Sequence, residues 1–222
     1  MTTPLNWFID FDETLATGSI SWAFEWAFPK LIREYRLRAD DALLAQAVLA
    51  AQEKASADFA PQVILHELFE TMGWDSSLEA VLFNDILTNY RPQLFDDALP
   101  FLNRLKALNR RVFVVSNNRL SLKFVKLLQI EEYLTGIYTP AKYPGAQPKP
   151  HRSLWDCVLA ADAEVNEGNS VVVGDDPWSD GAFADTCGLP CWIVDRNGRF
   201  SERYSGKSYR WVRSLLDIPM PG

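Results

Sequence analysis

The sequence predicts an α/β protein, with a parallel sheet, helices on both of its faces and an inserted all-helical segment. Three observations predict it. Short apolar runs at 7–9, 111–115, 137–139, 170–173 and 191–194 alternate with helical patterns, and strands joined through helices run parallel by right-handed crossovers. Val171-Val172-Val173 is apolar without a break, as a strand buried on both sides should be. Residues 19–91 carry helical periodicity and no β pattern, which marks an insertion.

The elements follow in order. Trp7, Phe8 and Ile9 form the first strand, which ends in two acids one residue apart, Asp10 and Asp12. Residues 16–19 (Ala-Thr-Gly-Ser) break it. A helix over 21–38 places Trp22, Trp26 and Ile32 on one side. Asp40 or Asp41 caps the next, where Leu44, Ala47, Val48 and Ala51 recur at helical spacing. Pro61 suits the first turn of a third helix carrying Ile64, Leu68 and Met72, and Gly73 stops it. Ser76 or Ser77 opens a fourth, with Leu78, Val81, Leu82 and Ile86 inward.

After Arg91-Pro92 the alternation begins. Asp96 and Asp97 cap a helix with Leu99, Leu102 and Leu105, followed by the strand 111–115 and a helix over 120–128. A short strand at 137–139 leads into a Pro-rich loop, 140–150, and a helix carrying Leu154, Trp155 and Val158. The strand 170–173, a helix over 179–187 and the strand 191–194 complete the pattern.

Composition bounds what such a chain does. Its 222 residues, 48% of them hydrophobic, suffice for one domain with a large insertion or for two small ones. A net charge of −7, from 22 basic and 29 acidic residues, argues against a nucleic-acid polymer as partner. No run approaches the ~18 apolar residues of a membrane helix, and the first residues lack the basic and apolar segments of a signal peptide. Cys157, Cys187 and Cys191 are odd in number and without paired spacing, so no disulfide framework is expected and a cytoplasmic setting fits.

In an open parallel sheet, function collects beyond the carboxyl ends of the strands. Four polar clusters fall there in order: Asp10 and Asp12; Ser116-Asn117-Asn118; Lys149; and Gly174-Asp175-Asp176 with Asp180. Each alone has a plainer explanation, since a Ser after a strand is commonly a helix cap and a Lys in a Pro-rich loop is commonly solvated. Their joint occurrence has none. Two carboxylates crowded at one strand end repel unless a cation or a shared proton intervenes. Asp10 and Asp175 are hard oxygen ligands that suit Mg²⁺. A zinc site would want clustered His or Cys, whereas His66 and His151 lie far apart in the chain, with His151 expected on the surface or at a cap.

With Mg²⁺ bound, Asp10 could attack phosphorus. Asp12 would protonate the leaving oxygen and then activate water. Ser116, the backbone N–H groups after it and Lys149 would hold the phosphoryl oxygens. Loops of the nucleotide-triphosphate, dinucleotide and serine-hydrolase types are absent from the sequence.

Four motifs carry a family resemblance: Phe8-Ile9-Asp10-Phe11-Asp12-Glu13-Thr14-Leu15, Val114-Val115-Ser116-Asn117-Asn118, Lys149-Pro150, and the run 173–180 from Val173 to Asp180. In these the chain resembles the haloacid dehalogenase superfamily of Mg²⁺-dependent aspartyl phosphatases, over essentially its whole length. The resemblance implies a Rossmann-like core of about five parallel strands, residues 1–18 and 92–222, with a C1-type helical cap over 19–91. It implies that Asp10 is nucleophile and metal ligand, and that Asp12 is the acid/base whose carbonyl also meets the metal. Ser116 and Lys149 would bind phosphate, with Asn117 and Thr14 as further phosphate-binding candidates. Asp175 would ligate Mg²⁺, and Asp176 or Asp180 would assist through water or by orienting Lys149.

Family dehalogenases carry a different residue at the position of Asp12, so the resemblance favours phosphate esters over carbon–halogen bonds. Glu13 departs from the pattern, where Gly is frequent. Lys142 is a second candidate for the phosphate lysine. The expected function is Mg²⁺-dependent hydrolysis of a small-molecule phosphomonoester, as a capped site would favour. The alternatives are a phosphotransferase of the sugar-phosphate mutase type, a non-catalytic ligand-binding regulatory protein and a dehalogenase. No oligomeric state follows from the sequence. Trp22, Phe24, Trp26 and Phe28, and Arg33, Arg36 and Arg38, are expected to pack the helices and to form a solvated face respectively, rather than to meet substrate.

Overall fold

The computed structural model describes residues 4–55, 61–198, 200 and 209–220. The chain divides into two compact units, residues 1–17 with 93–222 and residues 18–92.

The first unit is built on six parallel strands in the order β3-β2-β1-β4-β5-β6. They are β1 (Asn6–Ile9), β2 (Arg111–Val115), β3 (Gly136–Tyr138), β4 (Ser170–Gly174), β5 (Cys191–Val194) and β6 (Arg210–Val212). β1 lies at the centre because its side chains can be buried on both faces. Trp7 meets Phe101 of α6 (Ala98–Ala107) edge-on at 5.8 Å, while the next residue, Phe8, meets Trp155 of α8 (Ser153–Ala161) at 4.9 Å. Adjacent residues thus pack against helices on opposite sides, the Rossmann-like arrangement. Among the described residues the sheet has six strands, where about five were expected. β6 is a three-residue strand of sequence Arg-Trp-Val, paired with β5 alone among the described residues, and it carries no buried apolar run.

Register sets the level of the strand ends. Ile9 stands opposite Val114 on one side and Val173 on the other. The Asp10 N–H continues the ladder to the Val173 carbonyl at 2.9 Å, and the Ser116 N–H does the same to Tyr138 at 3.1 Å. Asp10, Ser116 and Asp175 therefore emerge at one rim. Asp12 lies past the strand, in a tight turn closed by the Ala16 N–H on the Phe11 carbonyl at 3.0 Å, so the i, i+2 alternation of a strand does not place it.

Glu13 occupies that turn with φ at 59°, a left-handed conformation that the Gly expected here from the resemblance would adopt without steric cost. A left-handed conformation costs a Cβ-bearing residue about 1 kcal/mol. Glu13→Gly is therefore expected to raise the unfolding free energy by up to about 1 kcal/mol, read from urea denaturation midpoints. A loss of stability would show that the Glu13 side chain holds the turn.

The second unit is helical: α1 (Ser19–Trp22), a π-helical turn (Ala23–Ala27), α2 (Phe28–Tyr35), α3 (Asp41–Ala55), α4 (Pro61–Met72) and α5 (Ser77–Asn89). Its first helix differs from expectation. The π turn resets the helical period, and Ala23, Ala27, Phe28 and Leu31 form the buried face, while Trp26 is 58% exposed. On α3, Leu44, Ala47, Val48 and Ala51 are all buried, and the cap is Asp40, which accepts from the N–H groups of Ala42 and Leu43. On α5, Leu78 and Leu82 are buried but Val81 is exposed, and Asp75 rather than a serine accepts from the Ser77 N–H. In the first unit, Leu99 of α6 is likewise exposed, with Phe101, Leu102 and Leu105 inward.

Asp97 does not cap α6 through its side chain. It takes both ends of the Arg196 guanidinium, at 2.7 and 2.9 Å, together with the Ser214 hydroxyl and the Leu215 N–H. Burial opposes this carboxylate, yet these donors hold its pKa below the usual range. The same guanidinium donates to the Thr14 carbonyl at 2.9 Å, bracing the turn that carries Asp12. Among the described residues no helix is long and apolar enough to cross a membrane.

Candidate active site

The rim of the first unit brings three acids together. Asp10, Asp175 and Asp180 each offer a carboxylate oxygen, all within 4.8 Å of one another. The Lys149 ammonium reaches Asp10 at 2.7 Å and Asp180 at 2.5 Å, with the Lys149 and Asp180 side chains only 3% and 2% exposed. Buried charge of one sign demands a counter-charge, and the Lys149 ammonium supplies one to Asp10 and Asp180. Burial, opposed by Lys149 and reinforced by Asp180 and Asp12, pushes the Asp10 carboxyl up to about 8. Burial disfavours the Lys149 ammonium, but Asp10 and Asp180 outweigh it and hold its pKa above the usual lysine range. A set of carboxylate oxygen donors, with no His or Cys in the group, fits a hard divalent cation such as Mg²⁺.

Asp180 is held in this position by backbone. One of its oxygens accepts from the Asp175 and Asp176 N–H groups, both at 3.2 Å, while the other meets Lys149. The approach requires Gly174, since a Cβ there would lie 2.1 Å from the Asp180 carboxyl carbon. Gly174→Ala is therefore expected to cost about 1–3 kcal/mol and to displace Asp180 from Lys149, seen as a lowered melting temperature and lost catalysis together. Unchanged catalysis would remove Asp180 from the site.

Asp176 does not join the three acids. It accepts from the Trp178 and Ser179 N–H groups at 2.8 and 3.3 Å, capping the π-helical turn Pro177–Gly181 that leads into α9 (Ala182–Cys187). Burial, with Asp180 adding to it, pushes its carboxyl up to about 6 against those two bonds. Of the two candidates for orienting Lys149, it is Asp180 that touches it.

The cluster between β2 and α7 (Ser121–Leu127) divides its work. Ser116 is buried at the rim, its hydroxyl 2.9 Å from that of Ser121 and accepting from the Asn118 N–H. Asn117, expected at the phosphate, instead clamps the main chain of Lys149: its carbonyl oxygen accepts from the Lys149 N–H at 2.7 Å and its amide donates to the Lys149 carbonyl at 3.0 Å. Both ends of the amide are thereby used. The Asn118 side chain, given no role by the sequence, donates to both carboxylate oxygens of Asp12, at 3.2 and 2.9 Å. Thr14, also expected at the phosphate, is fully buried and donates to Asp175 at 3.5 Å, so it stands behind that acid.

Lys142 is not the buried lysine: it donates to the Ile137 carbonyl at 3.0 Å. His151 accepts from the Ser153 N–H at 3.2 Å at the start of α8, a capping position.

Fold and site together define an α/β protein with a carboxylate cluster and a buried lysine at the carboxyl ends of its parallel strands. Residues 9–194 match the family model of the haloacid dehalogenase-like hydrolases, and the chain belongs to that family. Solved structures share the fold. YfnB from Bacillus subtilis, solved bound to magnesium, aligns with a TM-score of 0.73 at 15% identity, covering 98% of this chain and 97% of that one. A HAD phosphatase from Thermococcus onnurineus aligns at 0.59 and 18% identity, covering 96% and 95%. A dehalogenase aligns at 0.70 and 16% identity over the whole of both chains. No curated protein sequence matches significantly. Phosphatase and dehalogenase names occur together among these neighbours, so the fold does not choose the reaction.

Proposed function

We propose that the protein is a Mg²⁺-dependent phosphatase that hydrolyses a small-molecule phosphomonoester through an aspartyl-phosphate on Asp10. The observation that carries the reading is the buried cluster of Asp10, Asp175 and Asp180 around Lys149, with Asp12 on the turn that follows. Asp12 favours phosphate esters over carbon–halogen bonds, since family dehalogenases carry another residue there.

In this reading the Asp10 and Asp175 carboxylates and the Asp12 main-chain carbonyl would hold the metal, and Thr14 supports Asp175 from behind. Bound Mg²⁺ would supply the positive charge that keeps Asp10 a carboxylate and offsets its repulsion of phosphate. Asp10 attacks phosphorus while Asp12 gives a proton to the departing alcohol; Asp12 then takes a proton from the water that releases phosphate. Ser116 and Lys149 hold the phosphoryl oxygens. Asn117 fixes the Lys149 main chain and Asp180 directs its ammonium, which are positioning roles rather than phosphate contacts. The helical unit, residues 18–92, serves as the cap that selects the substrate. The neighbour named as a phosphatase and the neighbour solved with magnesium are consistent with this chemistry.

The test is phosphate release from a panel of sugar, nucleoside and short-chain acid phosphates, with MgCl₂ and with chelator. Turnover of at least one ester, dependent on the divalent ion, is expected. Equal turnover in chelator would remove the metal from the account, and free isomer without phosphate would make the protein a mutase.

A further inference from the structure

Asn118 stands beside the proposed acid with its orientation already fixed. Its side-chain oxygen accepts from the Leu120 N–H at 2.8 Å. An amide has one acceptor end and one donor end, so this bond turns the NH₂ group outward, and that group meets both oxygens of the Asp12 carboxylate. Its main chain is pinned at two further points. The Asn118 N–H donates to the Ser116 hydroxyl oxygen at 3.1 Å, and the Ser121 hydroxyl donates to the Asn118 carbonyl at 2.9 Å. One residue thus ties Ser116, at the proposed phosphate subsite, to Asp12 in the turn after β1.

We infer that Asn118 is a positioning residue: it holds the Asp12 carboxyl in register with the Ser116 phosphate subsite, so that proton delivery to the leaving oxygen coincides with attack by Asp10. The inference rests on Asp12 being the acid of the proposed phosphatase. In the step concerned, a bond forms between an Asp10 oxygen and phosphorus, the bond from phosphorus to the ester oxygen breaks, and the Asp12 proton passes to that oxygen to give the free alcohol. General-acid help depends on geometry within hydrogen-bond reach. It matters most when the departing oxygen is a poor leaving group.

The readout is therefore leaving-group dependence. The full-length protein with MgCl₂ is assayed for kcat/KM, which reports the first phosphoryl transfer, on p-nitrophenyl phosphate and on phenyl phosphate. The two have nearly the same shape, but the phenyl leaving group needs protonation more. Asn118→Ala and Asn118→Ser are compared with the unmodified chain. Serine can still accept from the Leu120 N–H but is too short to reach Asp12, which separates support of the loop from support of the acid. Both variants are expected to lose about 10-fold more on phenyl phosphate than on p-nitrophenyl phosphate, a fraction of the 10²–10⁴-fold typical of general-acid catalysis.

Equal losses on both esters, or a loss in Asn118→Ala that Asn118→Ser restores, would overturn the positioning role. Asp12→Asn is the control. If it shows the selective loss and the Asn118 variants do not, only this inference falls. If Asp12→Asn loses both esters equally, the acid assignment falls and the inference falls with it.

Discussion

Asp10→Asn is expected to abolish phosphate release by at least about 10⁴-fold, because it removes the nucleophile of the proposed reaction. The same substitution is expected to leave the fold intact and to alter the pH dependence of stability in a defined direction. The folded chain holds a proton on Asp10 up to about pH 8, whereas an unfolded Asp loses it near pH 4. Between those values the native state binds more protons than the unfolded one, so metal-free stability falls as pH rises. The slope is limited to about 1.4 kcal/mol per pH unit for one proton. Asp176, raised to about 6, adds a contribution of the same sign below that pH. Between pH 6 and 8 the decline belongs mainly to Asp10. Asp10→Asn should flatten it there and leave the metal-free variant the more stable protein at pH 8. Urea melts in chelator across this range measure it. A slope that persists in the variant would show that Asp10 is not the group driven protonated by burial.

The second large effect is expected at Lys149. Its ammonium is the cation placed between Asp10 and Asp180, with almost no access to solvent. Removing one partner of a buried ion pair leaves the other uncompensated and costs about 3–5 kcal/mol. Lys149→Met keeps most of the volume and removes the charge, so the loss measured is electrostatic. Metal-free Lys149→Met should lose about 3 kcal/mol by denaturant unfolding and at least about 10²-fold in phosphate release. Lys149→Arg should not restore activity, because a planar guanidinium cannot reproduce the contacts of a compact ammonium held by two carboxylates. Recovery by arginine would reduce the role of Lys149 to bulk charge. The clamp from Asn117 explains how a lysine in a Pro-rich loop is delivered to the rim.

Much of this arrangement was legible in the sequence because it is written in short buried runs. β1, β2, β4 and β5 fall where unbroken apolar runs predict them, and the acids follow directly at their ends. β6 was not legible, since Arg210-Trp211-Val212 is exposed or half-buried throughout and so carries no buried apolar run, whereas the equally short β3 buries Ile137 and Tyr138. On the helical unit, a 3.6-residue period placed Trp26 inward, but the π turn at Ala23–Ala27 rotates it outward and buries the alanines instead.

At the site, residue types announced carboxylate chemistry, whereas the division of labour depended on backbone geometry. Asn117 and Asn118 are adjacent amides, and only the turn after β2 sends one to Lys149 and the other to Asp12. Thr14 read as a phosphate contact from its place in the motif, and the turn buries it behind Asp175. Asp176 and Asp180 read as equivalents until the close approach to Gly174 separated them. Arg196 lies 182 residues from Thr14 in the chain, a separation over which no local pattern predicts a contact.

The most direct test of the account is chemical trapping of Asp10 during turnover. The protein is quenched in acid while hydrolysing the best ester of the panel, and any acyl phosphate is reduced with borohydride. The peptide spanning residue 10 is then read by mass spectrometry. Homoserine is expected at position 10, with unmodified aspartate at positions 12, 175 and 180. Reduction at another carboxylate, or active turnover with no reduced residue at all, would contradict it.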